Sequence, residues 1–92
     1  TYILVIRPSR PTFPGDATES ENAVVGAHFQ YIKAHHEAGR ARFVGLCEDA
    51  TFGICVFEAD SPEAAQAFVD SDPAVAAGLF TPELRPFRTV FA

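Results

Sequence analysis

Three histidines fall within nine residues of the run HFQYIKAHHEAGR: His28, His35 and His36. No other histidine occurs in the chain. Imidazole is the side chain whose ordinary pKa lies near neutrality, so these are the natural candidates for general acid–base work. Such a histidine needs a carboxylate that holds its tautomer and orientation. Asp72, directly before Pro73, is placed to be held rigid.

Each of these residues also has a purely structural reading. His36 falls in the last turn of the expected helix, where a cation gains about 0.3 to 1 kcal/mol from the helix dipole. At 100° per residue, His36 shares a stripe with Val25, Phe29 and Ile32, the expected core face. His35 points away from that stripe and reads as solvated. His28 lies about 70° from the stripe's centre, beside Val24, Tyr31 and His35, two turns before the helix ends. Capping cannot explain it there, which leaves a locally satisfied border histidine or a site. Asp72 before Pro73 is a helix N-cap, contributing about 1 kcal/mol without any catalysis.

A metal site is a weak option. His28 and His35 are seven residues apart, about 10 Å along a helix, too far to share an ion. Cys47 and Cys55 lack the C-x-x-C spacing and lie in apolar runs, so they read as small buried hydrophobes. No G-x-G-x-x-G, phosphate-binding loop or H-E-x-x-H occurs, and no cofactor is expected.

The elements that must position these residues follow from local signals. Thr1 to Arg7, TYILVIR, reads as a strand. Residues 8–17 carry three prolines and a glycine and read as a long loop, a lid or a connector. Thr18 and Glu21 have the capping-box spacing, and Gly39 suits the residue that closes a helix. That helix should run from Thr18 to about Ala38. Ala41 to Cys47 and Phe52 to Ala59 read as a strand hairpin. Ser61-Pro62-Glu63 starts a second helix, with Ala64, Ala65, Phe68 and Val69 inward, ending near Asp70. Asp72-Pro73 starts a short turn closed by Gly78. Glu83 to Ala92 reads as the last strand, with Pro86 at an edge or bulge.

Strand, helix, strand, strand, helix, strand is the split βαβ order of an α+β, ferredoxin-like fold: a four-stranded antiparallel sheet with helices on one face. The other face of such a sheet is ordinarily wet. Here Ile3 to Ile6 and Ile54 to Phe57 are apolar on both sides. A second copy of the chain would cover the spare face, so a homodimer with sheets packed face to face is expected.

At 92 residues the chain is a single domain, 1–92, with 48% hydrophobic residues and nine phenylalanines. The net charge of −5 and the lack of any basic run argue against nucleic acid as a partner. No apolar run approaches the roughly 20 residues of a membrane span, and the first residues read as a strand rather than a leader. A cytoplasmic protein is expected.

AHFQYIKAHHEAGRARFVG and FEADSPEAAQAFVDSDPAVAAGLFTPELRPFRTVF together resemble the YciI-like (YCII-related) family. The shared features are a histidine early in the first helix, an H-x-x-G-R helix end, a D-P-x-x-x-A-G element and a final R-P-F strand. The resemblance implies a ferredoxin-like fold that dimerises into an α+β barrel, and a His–Asp pair in a cleft. By position that pair is His28 and Asp72, the catalytic candidates. Arg7, His36 and Arg40 become the candidate substrate-binding residues, the arginines for an anionic group. Val25-Gly26 and Gly45-Leu46 depart from the family's pattern, which alters the cleft's lining and implies a different substrate. Two functions remain open. One is an enzyme doing cofactor-independent elimination, isomerisation or hydrolysis on a small polar or aromatic molecule. The other is a non-catalytic dimer that binds a small molecule in the same cleft.

Overall fold

The helices begin where side chains satisfy free amides. In a computed structural model describing residues 1–92, the first helix, α1, spans Glu19–Glu37. The Thr18 hydroxyl accepts from the Glu21 amide at 3.2 Å, and the Glu21 carboxylate accepts from the Thr18 amide at 2.9 Å. Ser61 caps the second helix, α2 (Pro62–Asp70), by accepting from the Ala64 amide at 3.0 Å. Asp72 caps the short helix α3 (Pro73–Ala76) through the Ala74 amide at 2.9 Å. Gly39 and Gly78 end α1 and α3 with φ of 84° and 72°. Only glycine adopts this left-handed backbone without strain. In both places the next two amides fold back onto helix carbonyls, Gly39 to His36 and Arg40 to His35 in the first case.

Four strands, β1 (Tyr2–Pro8), β2 (Ala41–Leu46), β3 (Gly53–Phe57) and β4 (Phe80–Pro86), form one antiparallel sheet in the order β2-β3-β1-β4. That is the ferredoxin-like order. Leu4 stands opposite both Cys55 and Leu84, which fixes the register across the centre. Leu4, Cys55 and Phe57 point to the helices and pack with Ala41, Ala65 and Val69 as the buried core. Ala64, expected inward, is exposed, because the inward line of α2 runs only through Ala65 and Val69 with Phe68 half-buried.

Two expectations need correction. The last strand begins at Phe80, not Glu83, and ends at Pro86, so residues 87–92 lie outside the sheet. Pro82, like Pro86, cannot donate to a ladder. It is tolerated because β4 is an edge strand, where Pro82 faces Ile6 and Pro86 faces Tyr2. The buried line of α1 also differs. It runs through His28 and Ile32, while Phe29 is 52% exposed and His36 is exposed.

The sheet's second face carries Ile3, Val5, Ile54 and Val56, which alternate with the helix-facing residues. Phe43, 59% exposed, stands opposite Val56 on the same face. The β4 side of that face is charged: Arg7 pairs with Glu83 at 3.0 Å, and Arg85 with Glu83 at 3.2 Å. No helix is long and apolar enough to cross a membrane.

Candidate active site

His28 is carried by α1 and Asp72 by the start of α3, and the packing of these helices brings the two together. Nδ1 of His28 lies 2.7 Å from Asp72 Oδ2 and 2.9 Å from Oδ1. Both side chains are buried, at 5% and 1% exposure. A carboxylate only accepts, so Nδ1 carries the proton and donates it to Asp72. Asp72 Oδ1 also takes the Ala74 amide, so the carboxylate is held from two sides.

The other nitrogen, Nε2, has no partner within the chain. No buried side-chain nitrogen or oxygen lacks a hydrogen bond, so Nε2 is accessible rather than sealed. It opens on a cavity of about 430 Å³ between α1 and the sheet, of which His28 forms part of the wall. Thirteen of the nineteen lining residues are hydrophobic. Val25, Phe29 and Ile32 of α1 form the roof, and Leu4 and Cys55 are on the sheet side. Phe13 and Pro14 of the proline loop close one flank. Three phenyl rings surround the imidazole and its access. Phe80 meets it edge-on at 5.1 Å and Phe29 at 5.4 Å, while Phe13 meets Phe80 at 5.8 Å.

The loop is tied to α1. Arg10 donates to both Glu21 oxygens at 2.6 and 2.7 Å and to Asp16 at 3.0 Å. The Arg10 guanidinium, followed by the Thr18 amide, holds the Glu21 carboxyl at about 2. The Thr12 hydroxyl, then Arg10, lowers Asp16 as well. Arg10 also lies over the Phe13 ring at 5.6 Å.

Buried negative charge is felt nearby. Burial, and then the Asp72 carboxylate, pushes the Cys55 thiol up to about 11. The same two causes, in the same order, raise the Tyr31 phenol. Both cysteines are free, Cys55 buried and Cys47 half-buried.

The remaining candidates do not join His28. Arg7 is on the far face of the sheet, paired with Glu83 and over the Phe52 ring at 6.0 Å. His36 Nδ1 meets the Ala41 carbonyl at 2.7 Å, a bond that ties the end of α1 to β2. Arg40 borders a second, shallower cavity with Tyr31, His35 and Phe68. There its Nε donates to His35 Nδ1 at 3.1 Å. Burial, with help from Arg40, lowers the His35 pKa and keeps that ring neutral. His35, expected to be solvated, is wedged against Tyr31 and Phe68, each at 4.7 Å between centroids.

One polar residue of the His28 cavity went unread in the sequence. Asn22 lines it, six residues before His28. The helical spacing held that signal, but Asn22 follows a capping box and was absorbed into the helix start. Val25 and Leu46, two of the three positions that depart from the family pattern, line this cavity.

The YCII-related domain model matches residues 2–88. The chain belongs to the YCII-related family. Protein YciI of Escherichia coli O6:H1 is 32% identical, over 83% of this chain and 89% of that protein. Protein YciI of Shigella flexneri matches to the same extent. Among solved structures, this YCII-related chain is similar to 5-chloro-2-hydroxyhydroquinone dehydrochlorinase (TftG) from Burkholderia phenoliruptrix AC1100, in complex with 2,5-dihydroxybenzoquinone. The TM-score is 0.70 at 21% identity, covering 96% of this chain and 94% of that one. This likeness establishes the α+β fold for the chain.

Proposed function

We propose that this chain is an enzyme of cofactor-independent acid–base chemistry, with His28 Nε2 as the base and Asp72 as its orienting partner. The observation that carries the reading is the asymmetry of His28. One nitrogen is held by a buried carboxylate, and the other faces a cavity without a partner. Asp72 fixes the Nδ1–H tautomer, leaves the Nε2 lone pair toward the ligand, and stabilises the imidazolium that forms.

The lining narrows the expected substrate. A cavity that is mostly apolar, with phenyl edges around the imidazole, suits a small flat ring bearing a protic group. In an elimination, Nε2 takes a proton from that ring. The bonding pair moves into the ring, and the leaving group departs with its own pair. No oxidant is needed, and the imidazolium then returns its proton to solvent. The dehydrochlorinase of similar fold has a name that describes loss of HCl from such a ring, and its ligand is a dihydroxybenzoquinone.

The test is chloride release from 5-chloro-2-hydroxyhydroquinone and a panel of other chlorinated hydroxyarenes. Native chain, His28→Gln and Asp72→Asn are compared. Turnover that falls by about a hundredfold or more in His28→Gln supports the reading. Equal turnover in both chains overturns it. Ring compounds that bind at His28 but never react would make the chain a binding module instead.

The reading includes a pair of chains joined through the sheet's second face. Its support is the apolar patch of Ile3, Val5, Ile54 and Val56 beside the exposed Phe43. A monomer of this size has no reason to leave so continuous a strip in water.

A further inference from the structure

Asn22 and His28 are the only residues lining the cavity whose side chains form hydrogen bonds of ordinary strength. The others are hydrophobic residues, including Cys55, together with prolines and glycines. Both lie on α1, and at 100° per residue they stand about 120° apart around its axis. Val25, Ile32 and Phe29 fall between them. The cavity is therefore apolar in its middle and polar at its two margins.

We infer that Asn22 is a specificity-determining residue, and that the ligand is a flat ring bearing a second hydrogen-bonding oxygen for it to hold. The inference rests on the reading of His28 as the base. One oxygen, protic, donates to His28 Nε2. The other meets the Asn22 amide, which offers both a donor and an acceptor. Six residues of helix separate the two anchors by about 9 Å along the axis. A ring lying along α1 between the two anchors can turn one oxygen toward each.

The Asn22 side chain is free for this role. No group of the chain engages it, whereas its neighbour Glu21 is consumed by Thr18 and Arg10. Asn22 is exposed at the mouth, so a ligand meets it on entry without any rearrangement of the core. A carboxylate there would repel an ionised oxygen, and a leucine would reject any oxygen. The amide accepts either protonation state.

The test compares hydroquinone with 4-methylphenol, which has a methyl in place of the second hydroxyl. Binding of each, under exclusion of oxygen, is measured by NMR titration against the native chain, Asn22→Leu and His28→Gln. Asn22→Leu is expected to weaken hydroquinone by about fivefold. It should leave 4-methylphenol unchanged or tighter. Equal effects on the two compounds, no effect on either, or a native chain that binds neither would overturn the inference. The two readings fail differently. If His28→Gln weakens both compounds while Asn22→Leu changes neither, the base assignment stands and the Asn22 assignment falls. If His28→Gln changes nothing, both fall.

Discussion

The Asp72 carboxylate serves His28 and Ala74 at once: Oδ2 lies 2.7 Å from the imidazole Nδ1, and Oδ1 lies 2.9 Å from the Ala74 amide. This geometry dictates what an isosteric change does. In Asp72→Asn the amide oxygen is retained by the Ala74 N–H, so the new NH2 group faces His28. Nδ1 must then accept, and the proton moves to Nε2. The expected result is a tautomer switch in the 15N spectrum of His28, with the fold intact. Turnover should fall by about a hundredfold or more, because the lone pair no longer faces the cavity. An unchanged tautomer would show that Asp72 acts only as a helix cap.

The Arg10 clasp gives the loop a pH response. The folded Glu21 carboxyl titrates at about 2, below its unfolded value, and Asp16 is lowered too. A depressed carboxylate stabilises the folded state above its unfolded pKa, and that contribution fades as pH falls toward the folded value. Amide exchange in residues 8–17 should therefore be slow at neutral pH and accelerate as pH falls from about 4.5 toward 2, after correction for intrinsic rates. Arg10→Ala should make exchange fast at neutral pH already. Because the groups are only half-buried, salt should loosen the loop as well.

Cys55 is expected to be inert. Its thiol is pushed up to about 11 by burial and by Asp72, so it stays protonated at pH 8 although it lines the cavity. Mass spectrometry after iodoacetamide treatment of the folded chain should find Cys55 unmodified. Denaturation should expose it to complete labelling.

Phe43 tests the pairing of chains. Phe43→Asp puts a charge into the apolar strip facing Val56. Light scattering should give about twice the chain mass for the native protein and the single mass for the variant, with the circular dichroism of both alike. A native protein that runs as a monomer at micromolar concentration would remove the dimer from the proposed function.

What could be read in advance was what short-range chemistry decides. Thr18, Ser61 and Asp72 announce helix starts because a cap acts over three residues, and Gly39 and Gly78 announce the ends. The two-sided apolar strands led to the expectation of a covered second face, which remains part of the proposed function. The start of the last strand was hidden because Pro82 reads as a breaker until the strand is known to lie at the edge. The histidines of α1 misled for another reason. A helical wheel assumes that the most apolar stripe faces the core. Here Val25 and Phe29 face a cavity, so the buried line passes through His28, while His35 is half-buried and His36 is exposed. No periodicity in one sequence distinguishes a face turned to packed atoms from one turned to a vacant space.

That vacant space has a thermodynamic consequence. Val25, Phe29 and Ile32 face sheet residues such as Leu4 and Cys55 across a cavity of about 430 Å³. On the proposed function, a bound ring finishes the hydrophobic interior, and ligand occupancy and folding share one free energy. At a ligand concentration one hundred times its Kd, the folded chain gains about 2.7 kcal/mol. In a domain this small, that shifts the melting temperature by roughly ten to twenty degrees. The chain would then persist in proportion to the supply of the proposed ligand.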